Sequence, residues 1–331
     1  MPEPKHAAGY RVGIVNPLTL VGTEIQTVLR ERSFPLAKTV LLATGESAGA
    51  LTEADGEPAY VQPVSDVELE DLDLVFFCGP PAGNHEWIER HREDKFIAVD
   101  LSQPSMSEEG TLAIAGVNLH DATGQTLIVS PHPVTIPIAL ILHQIEGLSP
   151  IDLCIANVVQ PASEFEQAGV EELAQQTISV LNIQSVPKSV FDRQLAFNLY
   201  PALEHNEEFI VAQLRGLVDV RTQIALLITQ GTIFHSHTFS LFVKTDEELE
   251  IADVAASLRA NAAIALPEED EQFGTIDAAG KDEVLVAEVR RDPTISGGFW
   301  VWAVCDNLRR GSALNAVLIA EKVLFTTGVT N

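Results

Sequence analysis

Basic residues are scarce in this chain. Twenty lysines and arginines stand against 47 aspartates and glutamates, giving a formal net charge of −27 over 331 residues. A surface this negative repels nucleic acid, anionic lipid and phosphorylated ligands at long range, so neither nucleic acid nor a membrane is an expected partner. The simplest origin of the acidity is solubility, or life in a salt-rich cytoplasm. Cysteine is scarcer still. Cys78, Cys154 and Cys305 are scattered, which excludes a disulfide framework and a C-x-x-C metal pair and predicts a reducing cytoplasmic setting. No apolar run is long enough to cross a bilayer. The opening "MPEPKHAAGYRVGIV" lacks a basic region followed by an apolar one, so it does not read as a signal peptide.

What remains is an ordinary globular composition, 46% hydrophobic and 20% charged, in a chain long enough for two domains. The first third alternates short apolar runs with helical patterns. "YRVGIV", "TVLLAT", "DLDLVFFCG" and "KFIAVDLS" read as strands, with "VGTEIQTVLRER" and "NHEWIERHRED" as helices between them. That rhythm predicts an α/β domain with an open parallel sheet of Rossmann type. After "TLIVSPHP" the pattern changes. A helix is expected from about Thr135, then strand-like "IDLCIANVVQP" and helical "GVEELAQQTISVLN". The alternating runs "QIALLITQGTIFHSHTFSLFVKT", "DEVLVAEVRRD" and "GGFWVWAVCDN" predict a mixed, largely antiparallel sheet covered by helices on one face. "RRGSALNAVLIAEKVLFTT" reads as a closing helix, and acidic "LPEEDEQFG" as a solvated loop.

The segments "VGTEIQTVLRERSFPLAKTVLLATGESAG", "FDRQLAFNLYP", "TIDAAGKDEVLVAEVRRD" and "VCDNLRRGSALNAVLIAE" together resemble the aspartate-semialdehyde dehydrogenase family, most closely its divergent Usg-like branch. The resemblance implies a dinucleotide-binding-like domain over residues 1–130 plus about 312–331. It implies a dimerisation and catalytic-like domain over 131–311, with the C-terminal helix returning to the first domain. It also implies NADP or NAD as cofactor and a homodimer as the assembly. Family chemistry reduces an acyl phosphate to an aldehyde through a cysteine thioester, with a base, cations for the substrate and a dinucleotide cradle.

Residue by residue, the match at these sites is worn. The family's Pro-Asn-Cys-Ser/Thr-Thr motif reads Pro131-His132-Pro133-Val134-Thr135, so the nucleophile position holds Pro133, which fits a helix start and carries no sulfur. His132 beside it is read as a polar loop residue. The family's catalytic histidine matches His237, the preceding glycine has become Ser236, and the substrate arginine has become Gln230. Loss of that arginine removes a bidentate carboxylate clamp. Gln160 matches the glutamine that positions the acyl group, with Ser163 beside it. Glu207 matches the glutamate for the substrate amine, and the lysine three residues on has become Ile210. The arginine expected after "VDLS" is absent from "QPSMSEEG".

The glycine loop reads Asn16-Pro17-Leu18-Thr19-Leu20-Val21-Gly22, with only Gly22 of three glycines standing and Thr19 in place of the second. In "ATGESAG", Glu46 and Ser47 lie where the family meets the 2′-phosphate, and a carboxylate there disfavours NADP more than NAD. Weak dinucleotide binding is therefore expected. His235 and His237, two apart in an alternating run, are expected to face one side of a strand; that is also metal-ligand spacing, although no third ligand is near and no metal site is expected. Cys78, at a strand end, reads as a buried small hydrophobe rather than a substitute nucleophile. Three functions follow. The favoured one is an inactive paralogue acting by binding, to itself, to an active paralogue or to a pathway enzyme. The alternatives are a working NAD(P)-dependent dehydrogenase of amino-acid biosynthesis, and a ligand sensor or different enzyme using Gln160, Glu207, His235 and His237.

Overall fold

The protein is described by a computed structural model covering residues 9–325, except 46, 55, 66–68, 70, 92–95, 103–109, 204–205, 220 and 269–270. The chain divides into two compact units, Met1–His132 with Ser312–Asn331, and Pro133–Gly311.

In the first unit, seven strands are introduced in chain order as β1 (Tyr10–Val15), β2 (Leu36–Ala43), β5 (Gln62–Pro63), β6 (Leu74–Phe77), β7 (Ile97–Asp100), β8 (Thr111–Leu112) and β9 (Leu127–Val129); β3 (Leu51–Ala54) and β4 (Glu57–Tyr60) form a separate antiparallel ribbon. The sheet order is β5-β2-β1-β6-β7-β9-β8, and every paired neighbour runs parallel. Strands such as "LVFF" of β6 are buried along their whole length because both faces of a parallel sheet are covered. Helix Leu20–Glu31 turns Ile25, Val28 and Leu29 inward, and helix Leu314–Phe325 joins the same core through Leu314, Val317, Ile319 and Ala320. The order in which strands are added reverses at β1, with β2 on one side and β6 on the other. In open parallel sheets ligands bind at the carboxyl ends of strands at such a switch point.

The second unit carries β10 (Ile151–Gln160), β11 (Leu199–Pro201), β12 (Gln223–Gly231), β13 (His237–Thr245), β14 (Ile264–Ala265), β15 (Val284–Arg291) and β16 (Gly298–Cys305), in the order β11-β12-β10-β13-β16-β15-β14. The mixture expected from the sequence is present: β10–β12 and β14–β15 are parallel, and the remaining pairs antiparallel. The run read as one alternating stretch is two strands that lie on opposite sides of β10. Along β10, Cys154, Ala156 and Val158 are buried while Ile155 and Asn157 are exposed, the period of two that a half-covered sheet imposes. The open face carries Ile155 (44% exposed) and Leu227 (56%), while Phe242, the partner of Ile155 on β13, is buried, its ring 5.3 Å from that of half-buried Trp300.

Long-range anchoring in this unit comes from helix Glu166–Leu181. Its Glu172 carboxylate accepts from the amides of Ser189, Val190 and Phe191 at 2.6, 2.7 and 3.1 Å. One turn on, the Gln176 side chain accepts from Leu195 and Ala196 at 2.6 and 3.0 Å and donates to the carbonyls of Pro187 and Arg193. Two side chains thereby fix a connection that has no regular ladder of its own.

Candidate active-site remnants in two units

At the carboxyl end of β1, Asn16 adopts φ +56°, a left-handed conformation that asparagine tolerates better than most residues. Its side chain crosses the switch point. The amide donates to Cys78 O at 2.9 Å and to Asn84 Oδ1 at 3.3 Å, and Oδ1 accepts from the Thr44 amide at 3.2 Å. Asn84 adds a bond to the same Cys78 carbonyl at 2.8 Å. The ends of β1, β2 and β6 are therefore laced by side chains where a pyrophosphate would lie in a dinucleotide-binding sheet.

The turn that follows is equally committed. Thr19 is the N-cap of helix Leu20–Glu31, its hydroxyl accepting from Gly22 N at 3.1 Å and donating to Asn16 O at 2.9 Å. Gly22 serves close packing: a Cβ there would meet Asn16 O at 2.6 Å and Pro17 Cα at 2.9 Å. Pro17 has no N–H to offer, and Leu18 stands 46% exposed beside it. This turn does not fit pyrophosphate as a glycine-rich turn does, because its cap, its proline and the Asn16 bridge occupy the donors and the space. Ser47 lies in a turn after β2, accepting from Ala50 N, and Glu46 lies outside the described residues, as does the segment after Ser102 where the family arginine was sought. After Cys78, Pro80 caps a helix, Pro81–Arg90, that has proline in its first turn.

In the second unit Pro133 is half-buried just ahead of helix Thr135–Glu146, and it faces Gly311, whose added Cβ would meet Pro133 Cβ and O at 3.3 Å. Thr135, the first residue of that helix, donates to Gln213 Oε1 at 2.7 Å. Two of the residues expected on the substrate side bond one another. Gln160 Nε2 donates to Gln230 Oε1 at 2.8 Å, and Gln230 Nε2 reaches Gln160 O at 3.3 Å, with Gln230 wholly buried. One amide–amide bond thus joins the two side chains, with the return bond made to the Gln160 main-chain carbonyl. Glu207 opens helix Glu207–Arg215 and accepts from Ile228 N at 3.3 Å, while Ile210 on the same helix is fully buried in the core.

The connection 232–236 crosses the end of β10, accepting from Ala162 N at Ile233 O (2.7 Å) and from Ser163 N at Phe234 O (3.1 Å). It delivers Ser236 at φ +76° and then His237, both with no exposed surface. His237 Nε2 lies 3.5 Å from Glu164 Oε1. Asn307 knits this corner, donating to Glu164 Oε1 at 3.0 Å and to Ser163 Oγ at 3.0 Å, and accepting from Ser236 N at 3.1 Å. Sequence reading missed Glu164 and Asn307; "SEF" and "CDN" carry no motif that would have marked them. The shared-face reading of His235 and His237 is overturned. His235 precedes β13, and the positive φ of Ser236 breaks the alternation between them. Among the described residues no group of three or more His, Cys, Asp or Glu side chains is placed to hold a metal ion.

His132 lies in the loop as expected, but it is not a solvated one. It is buried, and burial pushes its imidazole pKa down to about 4, so it is neutral at physiological pH. All three cysteines are fully buried. Burial pushes the Cys154 thiol up to about 12 and raises that of Cys305 further, so neither is a thiolate at neutral pH.

Residues 11–125 match the semialdehyde dehydrogenase NAD binding domain and 148–310 the semialdehyde dehydrogenase dimerisation domain. The chain belongs to the aspartate-semialdehyde dehydrogenase family. Its relatives include aspartate-semialdehyde dehydrogenase of Synechocystis sp., 29% identical with 97% of this chain and 98% of the relative covered. A USG-1 protein homolog of Azotobacter vinelandii is 28% identical, with 95% and 97% covered. Among solved structures, a probable aspartate-semialdehyde dehydrogenase from Pseudomonas aeruginosa superposes with TM-score 0.91 at 27% identity, covering 97% of this chain and 100% of that one. Aspartate semialdehyde dehydrogenase II from Vibrio cholerae, complexed with ASA, gives 0.90 at 26% identity, with 97% and 99% covered. The family fold is therefore kept whole. Among the described residues no helix is long and apolar enough to cross a membrane.

Proposed function

We propose that this chain is a catalytically inactive member of the aspartate-semialdehyde dehydrogenase family that acts as a binding and assembly protein. The observation that carries the reading is Pro133 at the nucleophile position, since a thioacyl intermediate needs a sulfur there. Two features support it. The Gln160–Gln230 amide pair satisfies itself where a carboxylate clamp would stand, and the Asn16 bridge spans the switch point where a pyrophosphate would lie. Dinucleotide binding is correspondingly weak, and phosphorylating reduction is absent. The test is direct. Purified protein assayed with aspartate semialdehyde, phosphate and NAD or NADP gives no turnover under this reading. Turnover that thiol alkylation abolishes would establish instead the active dehydrogenase of amino-acid biosynthesis.

Assembly is the retained property. The open face of the second sheet exposes Leu227 on β12 and Ile155 on β10, with half-buried Trp300 on β16, apolar positions suited to a second copy of the chain. In this reading the protein is a cytoplasmic homodimer formed through that face, and an active paralogue or a pathway enzyme is its further partner. Light scattering at micromolar concentration reads about twice the 35.8 kDa chain mass; a folded monomer that persists on dilution would refute the dimer.

A further inference from the structure

A cavity of about 280 Å³ opens in the first unit, lined by Gln26, Leu29, Arg30, Ser33, Phe34, Leu36, Thr39 and Glu53. It lies at the amino-terminal edge of the sheet, where helix Leu20–Glu31 ends and β2 begins, the opposite edge from Asn16 and Gly22. It is therefore a place apart from the dinucleotide crevice. Its floor is apolar, with Leu29 and Phe34 buried and Leu36 half-buried. Its rim holds two exposed charges of opposite sign, Arg30 from the last helical turn and Glu53 from β3. Among the described residues these two form no ion pair, with each other or with a third group. Gln26 is already committed, its amide donating to Pro17 O and Gly22 O at 3.3 Å.

We propose that this cavity binds a free α-amino acid with a branched apolar side chain. Arg30 holds the carboxylate, Glu53 holds the ammonium group, and the side chain rests on Leu29, Phe34 and Leu36. Two observations converge on a zwitterion of this size. The volume is at the lower edge of small-molecule pockets, roughly 300 Å³ and upward, which suits one amino acid and not a nucleotide. A ligand of net negative charge is opposed by Glu53 and by the acidic surface, whereas a zwitterion carries no net charge to repel. The proposal is independent of whether the chain turns over substrate.

Calorimetric titration of the full-length protein with L-leucine tests it, beside 4-methylpentanoate and isoamylamine, which each keep the apolar body and one charge. Leucine should bind saturably, and each analogue about tenfold or more weakly. Arg30→Gln and Glu53→Gln, both at exposed positions, should each weaken leucine about tenfold without changing the thermal midpoint. Absence of saturable heat with leucine up to about 10 mM would overturn the proposal. So would equal binding of the single-charge analogues, or unaltered affinity in both variants.

Discussion

Replacing Ser236 by glycine should make the second unit more stable. Ser236 sits at φ +76° with no exposed surface, and its hydroxyl has no hydrogen-bond partner among the described residues. A non-glycine residue held in the left-handed region costs about 1–2 kcal/mol. A buried orphan hydroxyl adds about 1 kcal/mol or more. Against these, glycine gives the unfolded chain extra freedom worth about 0.5–1 kcal/mol. The balance is a gain of about 1–2 kcal/mol for Ser236→Gly. The bond from the residue 236 amide to Asn307 Oδ1 is unaffected, because it involves backbone only. Urea titration followed by fluorescence of Trp300 and Trp302 reads the change, and thermal unfolding should move up by roughly 2–8 °C. Glycine is also what the family pattern carries before its histidine. A variant no more stable than the parent, or less stable, would refute the strain argument and mean that the Ser236 hydroxyl has a function that holds it there.

Pro133→Cys should fold and should not acquire dehydrogenase activity, because Gln230 and Ile210 leave the substrate anions uncompensated; steady turnover by this single variant would sink that reasoning. Asn16→Gly keeps the positive φ but deletes the bonds to Cys78, Asn84 and Thr44, and should cost about 2–3 kcal/mol by chemical denaturation. If calorimetry shows no gain in NAD affinity for this variant, the bridge is not what closes the crevice. His132 gives a pH dependence of defined sign. Its folded pKa of about 4 lies below the unfolded value near 6.5, so the unfolded chain binds the extra proton between those pH values. The stability contribution is complete above about pH 6.5 and is lost as pH falls towards 4, by about 3 kcal/mol in all. His132→Gln should flatten that slope, and an unchanged slope would show that the imidazole is not the group responsible. Iodoacetamide should label none of the three cysteines in the folded protein and all three in urea, read by mass spectrometry.

The sequence by itself determined the fold class and the absence of a sulfur at position 133. Period-two and fully apolar runs separate half-covered from doubly covered strands, so "LVFF" and "IDLCIANVVQ" announce two kinds of sheet before any pairing is known. An absent sulfur is equally legible, because Pro133 has the same covalent structure in any fold. Tertiary structure alone decided how the side chains around these positions are used. Nothing local in Asn16 says that it will join the ends of three strands, since Cys78 and Asn84 are more than sixty residues away in the chain. Gln160 and Gln230 are seventy apart and become partners only because β10 and β12 run parallel in that register. The two histidines show the reverse case. Alternation places His235 and His237 on one face of a strand, but strand alternation holds only for extended backbone. The carbonyls of Ile233 and Phe234 are taken by Ala162 and Ser163, and the turn this fixes puts Ser236 at a positive φ. Backbone conformation at that one residue answers to contacts from β10's end, which no reading of neighbours along the chain can supply.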